Sequence, residues 1–440
     1  KYLLTLVGRS DGSSRFAPGN KYEFYPSVAA AWKISEEAFM QNISWMNDLK
    51  LRASYGRSGS QGIESYRTLA QMTEASTTYN GSLRPGVTLG RPANPALKWE
   101  TTKQLDIALE ASFFSGRVFT ELNYYKKETN DLLLEVVIPR QTGFTSQLQN
   151  IGALENKGWE FMLKTVNVSN KDFNWKSTLT LSSNKNKVLD LGGQEFIDVV
   201  VDAIAGSGNT RIILGQPTPV FYGARYLGPW KSQAEIDAST FNAGSQSVGG
   251  AHFWDKNGDG IISTEDYEVL GSPQPNLIYG FENSISYKNF DLNFYFQGTV
   301  GNEVYNLRSI TGLFTRGENP KYIDLVDRWS ESNPDAYWPM PGTGEFIPSN
   351  EEYVEDGSHL RLKTLRLNYN LPVKKLGWDA VDKMSVYFSG TNLLLFSNFR
   401  LIDPETSQYG RDGIGNIAQG YSSGEYPSPK VLTLGVNVTF

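Results

Sequence analysis

Val431 to Phe440 read V-L-T-L-G-V-N-V-T-F, and the alternation of these residues constrains the fold more than any other stretch of the chain. Leu432, Leu434, Val436, Val438 and Phe440 share one parity; Thr433, Gly435, Asn437 and Thr439 share the other. Successive side chains of an extended strand point to opposite faces, so this strand has one apolar and one polar face. Two settings accept such a strand. One is the edge of a soluble sandwich. The other is the wall of an outer-membrane barrel, where the apolar parity meets lipid and the polar parity meets a wet or plugged interior. An aromatic final residue fits the barrel, whose last strand closes against its first.

The same period recurs upstream. Leu105, Ile107, Leu109, Ala111 and Phe113 alternate with Asp106, Ala108, Glu110 and Ser112, and the Ser115-Gly116 turn leads into a return strand over 117–129. Phe290, Leu292, Phe294 and Phe296 oppose Asp291, Asn293, Tyr295 and Gln297, joined through Lys288-Asn289 to a strand over 279–287. Further strands are expected over 1–9, 24–33, 49–56, 155–168, 175–185, 360–371 and 384–396, with a bulge where the parity slips near Thr364. A short helix is expected within 35–47, and roughly forty loop residues after 56. Tyr322, Leu325, Val326 and Trp329 have helical spacing.

The connections alternate as regularly as the side chains. Those after the second, fourth, sixth, eighth and tenth strands are short, and most of those between them are long, above all 188–275, 301–357 and 397–430. Short turns on one side and long loops on the other is the arrangement of outer-membrane barrels; a sandwich has no reason to sort its loops so. No apolar run approaches the ~18 residues a membrane helix needs, so any spanning element is a strand. The expected fold is therefore an all-β, transmembrane antiparallel barrel. Roughly twelve strands under such long loops make an incomplete wall, because barrels that import large cargo have about 22 strands and a plugged lumen. The chain is expected to be the C-terminal part of one, since Lys1-Tyr2-Leu3-Leu4-Thr5-Leu6 begins inside a strand pattern.

Composition closes off other classes. The net charge of -6 argues against a nucleic-acid surface, and the absence of cysteine removes disulfides and thiolate metal sites. There are two histidines, His252 and His359, and no G-x-S-x-G, P-loop or complete G-x-G-x-x-G; Gly206-Ser207-Gly208-Asn209 reads as a loop tip. Both histidines read as ordinary polar or packing residues, and no enzyme is expected.

Several motifs, in order, carry a resemblance. They are R-S-D-G-S-S-R-F from Arg9, Leu97-Lys98-Trp99-Glu100-Thr101-Thr102, Asn150-Ile151-Gly152 with Asn156-Lys157-Gly158-Trp159-Glu160, and Asp255-Lys256-Asn257-Gly258-Asp259-Gly260. Tyr279-Gly280-Phe281 with Gln297-Gly298, Gly390-Thr391-Asn392-Leu393, Asp403-Pro404-Glu405, Tyr426-Pro427 and the terminal strand follow. Together they resemble the SusC/RagA family of TonB-dependent outer-membrane transporters. The resemblance implies energised import of oligosaccharides or peptides through the outer membrane, with a SusD-like surface lipoprotein as a lid. The family's plug and TonB-binding segments have no counterpart among these residues. The rival reading is a secreted, calcium-dependent glycan-binding or glycan-cleaving β protein, for which paired carboxylates in a cleft would be needed.

Candidate sites lie in the long loops. D-K-N-G-D-G-I-I-S-T-E-D offers oxygen donors at the first, third, fifth and ninth positions of an EF-hand-like loop, namely Asp255, Asn257, Asp259 and Ser263. Gly260 stands at the sharp turn, Ile261 would supply a carbonyl, and Asp266 stands where the pattern wants a bidentate Glu, with Glu265 as its alternative. Hard oxygen ligands suit a structural Ca²⁺. Tyr222, Tyr226, Trp230 and Trp254 could stack on a substrate, or else pack the loop against itself, which a long loop requires. Ser232-x-x-Glu235 reads as a capping box opening a helix over 233–238. Trp32, Trp45 and Trp378 are expected in an aromatic girdle at the short-turn side.

Overall fold

A computed structural model describes residues 1–199, 210–241, 244–314, 322–340, 349–378, 380–401, 403–405, 419–422 and 426–440. The loop tip at Gly206 to Asn209 lies outside them. Twelve long strands form one antiparallel sheet in chain order: β1 (Tyr2–Gly12), β2 (Tyr22–Lys33), β3 (Met46–Ser60), β4 (Glu100–Phe113), β5 (Val118–Asn130), β6 (Ala153–Ser169), β7 (Phe173–Asp190), β8 (Leu277–Tyr287), β9 (Phe290–Val300), β10 (His359–Leu371), β11 (Lys383–Ser397) and β12 (Val431–Thr439). Every expected strand is present, and neighbours in sequence are neighbours in space. Contacts divide the chain into a first unit, Lys1–Leu163 with Asn184–Glu195, and a second, Lys164–Ser183 with Phe196–Phe440.

In the first unit the register aligns one apolar parity across strands. Tyr55 faces Leu105, Leu51 faces Leu109, and Leu109 faces Leu122. Leu51, Tyr55, Leu109 and Leu122 are exposed and Leu105 partly so, as lipid-facing side chains are once the bilayer is removed. The opposite parity is polar and paired: Lys50 meets Glu110 at 3.2 Å, and Arg52 spans Glu110 at 2.7 Å and Glu121 at 2.5 Å. The second unit repeats the rule. Ile285, Leu292, Leu367, Phe388 and Leu434 stand in one continuous cross-strand row. The expected slip near Thr364 is a register shift between Leu362 and Thr364.

Three expectations fail locally. The segment 35–47 holds only a 3-10 turn at Ile34–Glu36 followed by further turns, and the helical spacing at Tyr322 yields a 3-10 turn at Ile323–Val326. The loop after β3 contains a paired hairpin, Gln71–Tyr79 with Ser82–Arg91. Its turn is Asn80-Gly81, with φ of 55 and 74, the left-handed pair that a two-residue hairpin turn requires. At the short-turn side Trp45 stacks on Phe113 with centroids 5.7 Å apart, and Trp378 is exposed.

Candidate functional site

Three long connections of the second unit fold on one another. Phe221 belongs to the first of them, Tyr305 and Tyr353 to the second and Tyr421 to the third, and all four are buried. Tyr305 lies 5.6 Å from Phe221, 6.0 Å from Tyr353 and 5.2 Å from Tyr421 between ring centroids. Short strands lock the cluster: Glu303–Asn306 pairs with Val354–Asp356 on one side and with Tyr421–Ser422 on the other. Loops that would each be too long to order alone thus share a core. Aromatic pairs of this kind add about 0.5–1.5 kcal/mol each beyond their buried area.

A charged tether joins the third connection to β10. His359, Arg361 and Lys363 recur at the strand period on one face and converge on Asp403 and Glu405. Arg361 reaches Asp403 at 2.5 Å, with both side chains 3% exposed. Its Nε lies 2.6 Å from Glu405, with the N–H off the line, so that contact is an ion pair rather than a hydrogen bond. Lys363 Nζ donates to Glu405 at 2.9 Å and Gln297 Nε2 donates to it at 2.9 Å. Burial alone would raise the Glu405 carboxyl, but the donors from His359 and Lys363 and the Arg361 charge outweigh it and hold it at about 2.

The EF-hand-like segment forms a compact turn. Asp255 accepts from Gly258 N at 2.7 Å and Gly260 N at 2.9 Å, and these bonds with that from Thr240 lower its carboxyl against the opposing effect of desolvation. Asp266 is fully buried and accepts from the backbone of Lys256 at 3.0 Å, Asn257 at 3.3 Å and Ser263 at 2.8 Å, so it ties the loop's two ends together. Asp259 accepts from Ile261 N at 2.8 Å, and Ser263 Oγ from Glu265 N at 3.1 Å. Gly260 has φ of +79, and a Cβ there would meet the Thr240 carbonyl at 2.5 Å, so the sharp turn demands glycine. Among the described residues no three acidic or histidine side chains converge as a metal site. The donor set nonetheless suits a hard cation. Asn257 Nδ2 bridges Asp259 at 3.0 Å and Glu265 at 3.2 Å, which is where positive charge is wanted.

The four loop aromatics divide by burial. Tyr226 and Trp230 are 4% and 1% exposed and serve as loop core, closed to a ligand in this arrangement. Tyr222 is half-buried with the Arg211 guanidinium 4.1 Å from its ring centroid, and Trp254 alone presents a surface. His252 stacks on Trp230 at 3.5 Å, where burial pushes its pKa down; His359 belongs to the tether. The capping box holds, with Ser232 Oγ accepting from Glu235 N at 3.2 Å at the start of helix α1, Gln233–Asp237, although Glu235 caps Lys231 N rather than its expected partner.

In the first unit the 71–91 hairpin presents an uncovered face. Met72, Leu83, Val87 and Leu89 share one side of it and are 57–72% exposed, while the other side carries Thr73, Thr77, Arg84 and Thr88. The described geometry contains a membrane wall, a folded loop layer and a hairpin whose apolar residues share one side with Glu74, Ser76 and Thr78. That combination defines a class, the outer-membrane β-barrels with long, folded connections.

Within it the chain belongs to the TonB-dependent receptor family: residues 1–307 match the family described as TonB dependent receptor-like, beta-barrel. It is 65% identical over its whole length to TonB-dependent receptor P26 of Formosa agariphila and 29% identical to TonB-dependent receptor SusC of Bacteroides thetaiotaomicron. It spans 44% of the first and 42% of the second, so it covers somewhat under half the length of these relatives. The solved RagAB peptide transporter aligns over all of the chain and 46% of its own with a TM-score of 0.84 at 26% identity. The chain is therefore SusC/RagA-like, from a family of outer-membrane receptors rather than of enzymes, and the secreted alternative falls.

Proposed function

We propose that the chain is the C-terminal wall of an importer that takes up oligosaccharides or peptides, energised through TonB acting on the remainder of such a receptor and capped by a SusD-like surface lipoprotein. The observation that carries this reading is the pre-folded outer layer. Three connections share one aromatic core, and a separate hairpin leaves Met72, Leu83, Val87 and Leu89 exposed on one side beside Glu74, Ser76 and Thr78. Uncovered apolar side chains of this kind mark protein interaction sites. The solved structure the chain resembles is that of the RagAB peptide transporter. A lid that touches several loops at once would bury more than the ~2,000 Å² typical of lasting assemblies.

Gentle detergent extraction of the native receptor should bring down a lipoprotein in near-equal amount. Leu83→Asp with Val87→Asp should release it while leaving the heat-modifiable barrel band intact. A native receptor that emerges alone, or a double variant that keeps its partner, would count against the lid.

A Ca²⁺ ion in the 255–266 turn belongs to the same reading as a structural element. It would draw on Asp255, Asn257, Asp259, Ile261, Ser263 and Asp266, with the Asn257 amide turned to offer its oxygen. The supporting observation is the placement of that amide between two carboxylates. Chelation should then lower the melting temperature and speed proteolysis at the turn, and Asp259→Ala should make both insensitive to chelator. A native protein indifferent to chelation would remove the ion from the account.

A further inference from the structure

The outward parity of the first unit changes character at one level. In β4 the apolar series Phe113, Ala111, Leu109, Ile107 and Leu105, of which Leu109 and Ile107 are exposed, gives way to Lys103. The same step occurs on neighbouring strands. Tyr55 is followed by Arg57 on β3, Tyr124 by Lys126 on β5, and Trp159 is preceded by Lys157 on β6. The register sets them within one step of each other: Arg57 faces Lys103, which faces Glu128, and Lys126 stands two residues nearer the apolar stretch, opposite Leu105, which faces Tyr55. The tilted rings of Tyr124 and Trp159 lie 4.6 Å apart directly beneath this staggered row.

β7 continues the row. Asn184 and Asn186 donate to Asn156 at 3.1 and 2.9 Å, and Asn184 accepts from Tyr125, which shares the polar parity of Asp106. Strand alternation then sends Lys185 and Lys187, both exposed, to the outward side with Lys157. Lys126 and Lys157 are held at 2.9 Å each by Glu155. Six cations thus stand together against three carboxylates, Glu128, Glu155 and Glu23, the last 3.7 Å from Arg57, in a chain whose net charge is -6. Like charges gathered on one sheet face repel and cost stability unless an anion sits among them.

The row lies on the long-loop side, where the apolar stretch of about nine residues that crosses a bilayer has just ended and an aromatic belt has been passed. At that depth the groups in contact are lipid headgroups of the outer leaflet. We propose that Arg57, Lys103, Lys126, Lys157, Lys185 and Lys187 form a docking surface for the phosphate groups of an anionic outer-leaflet lipid. Ammonium groups supply several donors to phosphate oxygens, and the belt of Tyr55, Tyr124 and Trp159 receives the lipid's apolar part. The site rests on the membrane orientation of the wall and not on the substrate or the lid.

The test uses the full-length receptor in detergent, titrated with bisphosphorylated lipid A and followed by native mass spectrometry. The triple variant Lys103→Gln, Lys185→Gln, Lys187→Gln leaves the Glu155 bridges untouched. At roughly fivefold per lysine it should bind the lipid about a hundredfold more weakly, and the corresponding Lys→Arg triple should bind as the native protein does. Dephosphorylated lipid A should bind weakly to all three, and inorganic phosphate at equal concentration should not compete. Equal binding of the native and Gln proteins would overturn the site, as would equal binding of the two lipids or displacement by free phosphate. Should the triple Gln protein lose its heat-modifiable band, the single Lys103→Gln variant is read by the same titration. It should lose about fivefold, and no loss would overturn the site.

Discussion

At the scale of residues the tether on β10 shows how charge orders a loop. Removing two carboxylates and a guanidinium from water is costly, and the arrangement repays it only while all partners remain. Arg361→Ala would strand Asp403 and Glu405 beside no guanidinium, and the loss of one partner of such a buried pair is worth about 3–5 kcal/mol. Arg361→Lys should recover only part of that, because a single ammonium cannot serve two carboxylates through a planar fork. The pH dependence follows from the depressed Glu405 carboxyl. A folded value of about 2 lies below the ordinary ~4.3, so the stability it contributes is complete above that range and lost as the pH falls toward about 2. The melting midpoint of the native protein should therefore drop across this acid window, and the drop should be smaller in Glu405→Gln. A midpoint equally acid-sensitive in both would separate the cluster from the loop's stability.

At the scale of elements, period two was legible wherever one face meets lipid, since Leu109, Phe294 and Leu434 alternate with polar neighbours inside the bilayer zone. It failed to give lengths. β3 runs to Ser60 and β7 to Asp190, beyond the expected ends, because past the headgroups both faces meet polar surroundings and apolar alternation no longer reports on pairing. The 71–91 hairpin did carry its signal in Asn80-Gly81, hidden by the Gly, Ser and Pro content around it. Tyr322 to Trp329 had helical spacing but only a 3-10 turn results, as Leu325 and Trp338 pack into a small cluster with Leu313 instead. Of the candidate site, the turn at Asp255 was legible because its Asx and Gly residues act locally. The burial of Tyr226 and Trp230 was not, since it depends on which segments, far apart in sequence, fold together.

At the scale of the molecule the central claim is the orientation we propose, in which the long connections of the outer-membrane wall lie outside and its short turns in the periplasm. The native chain has no cysteine, so single cysteines report without background. Gly249 is a poor position for one, since its φ is +81 and a Cβ would meet Trp329 at 2.3 Å. Asp335, in the second long connection, has a side chain 88% exposed, and Lys171 sits exposed in the turn between β6 and β7. Full-length receptors carrying Asp335→Cys or Lys171→Cys should be exposed on intact cells to a membrane-impermeant maleimide. The account predicts labelling at position 335 at once and at position 171 only after the outer membrane is opened; labelling of position 171 on intact cells with position 335 silent would contradict it.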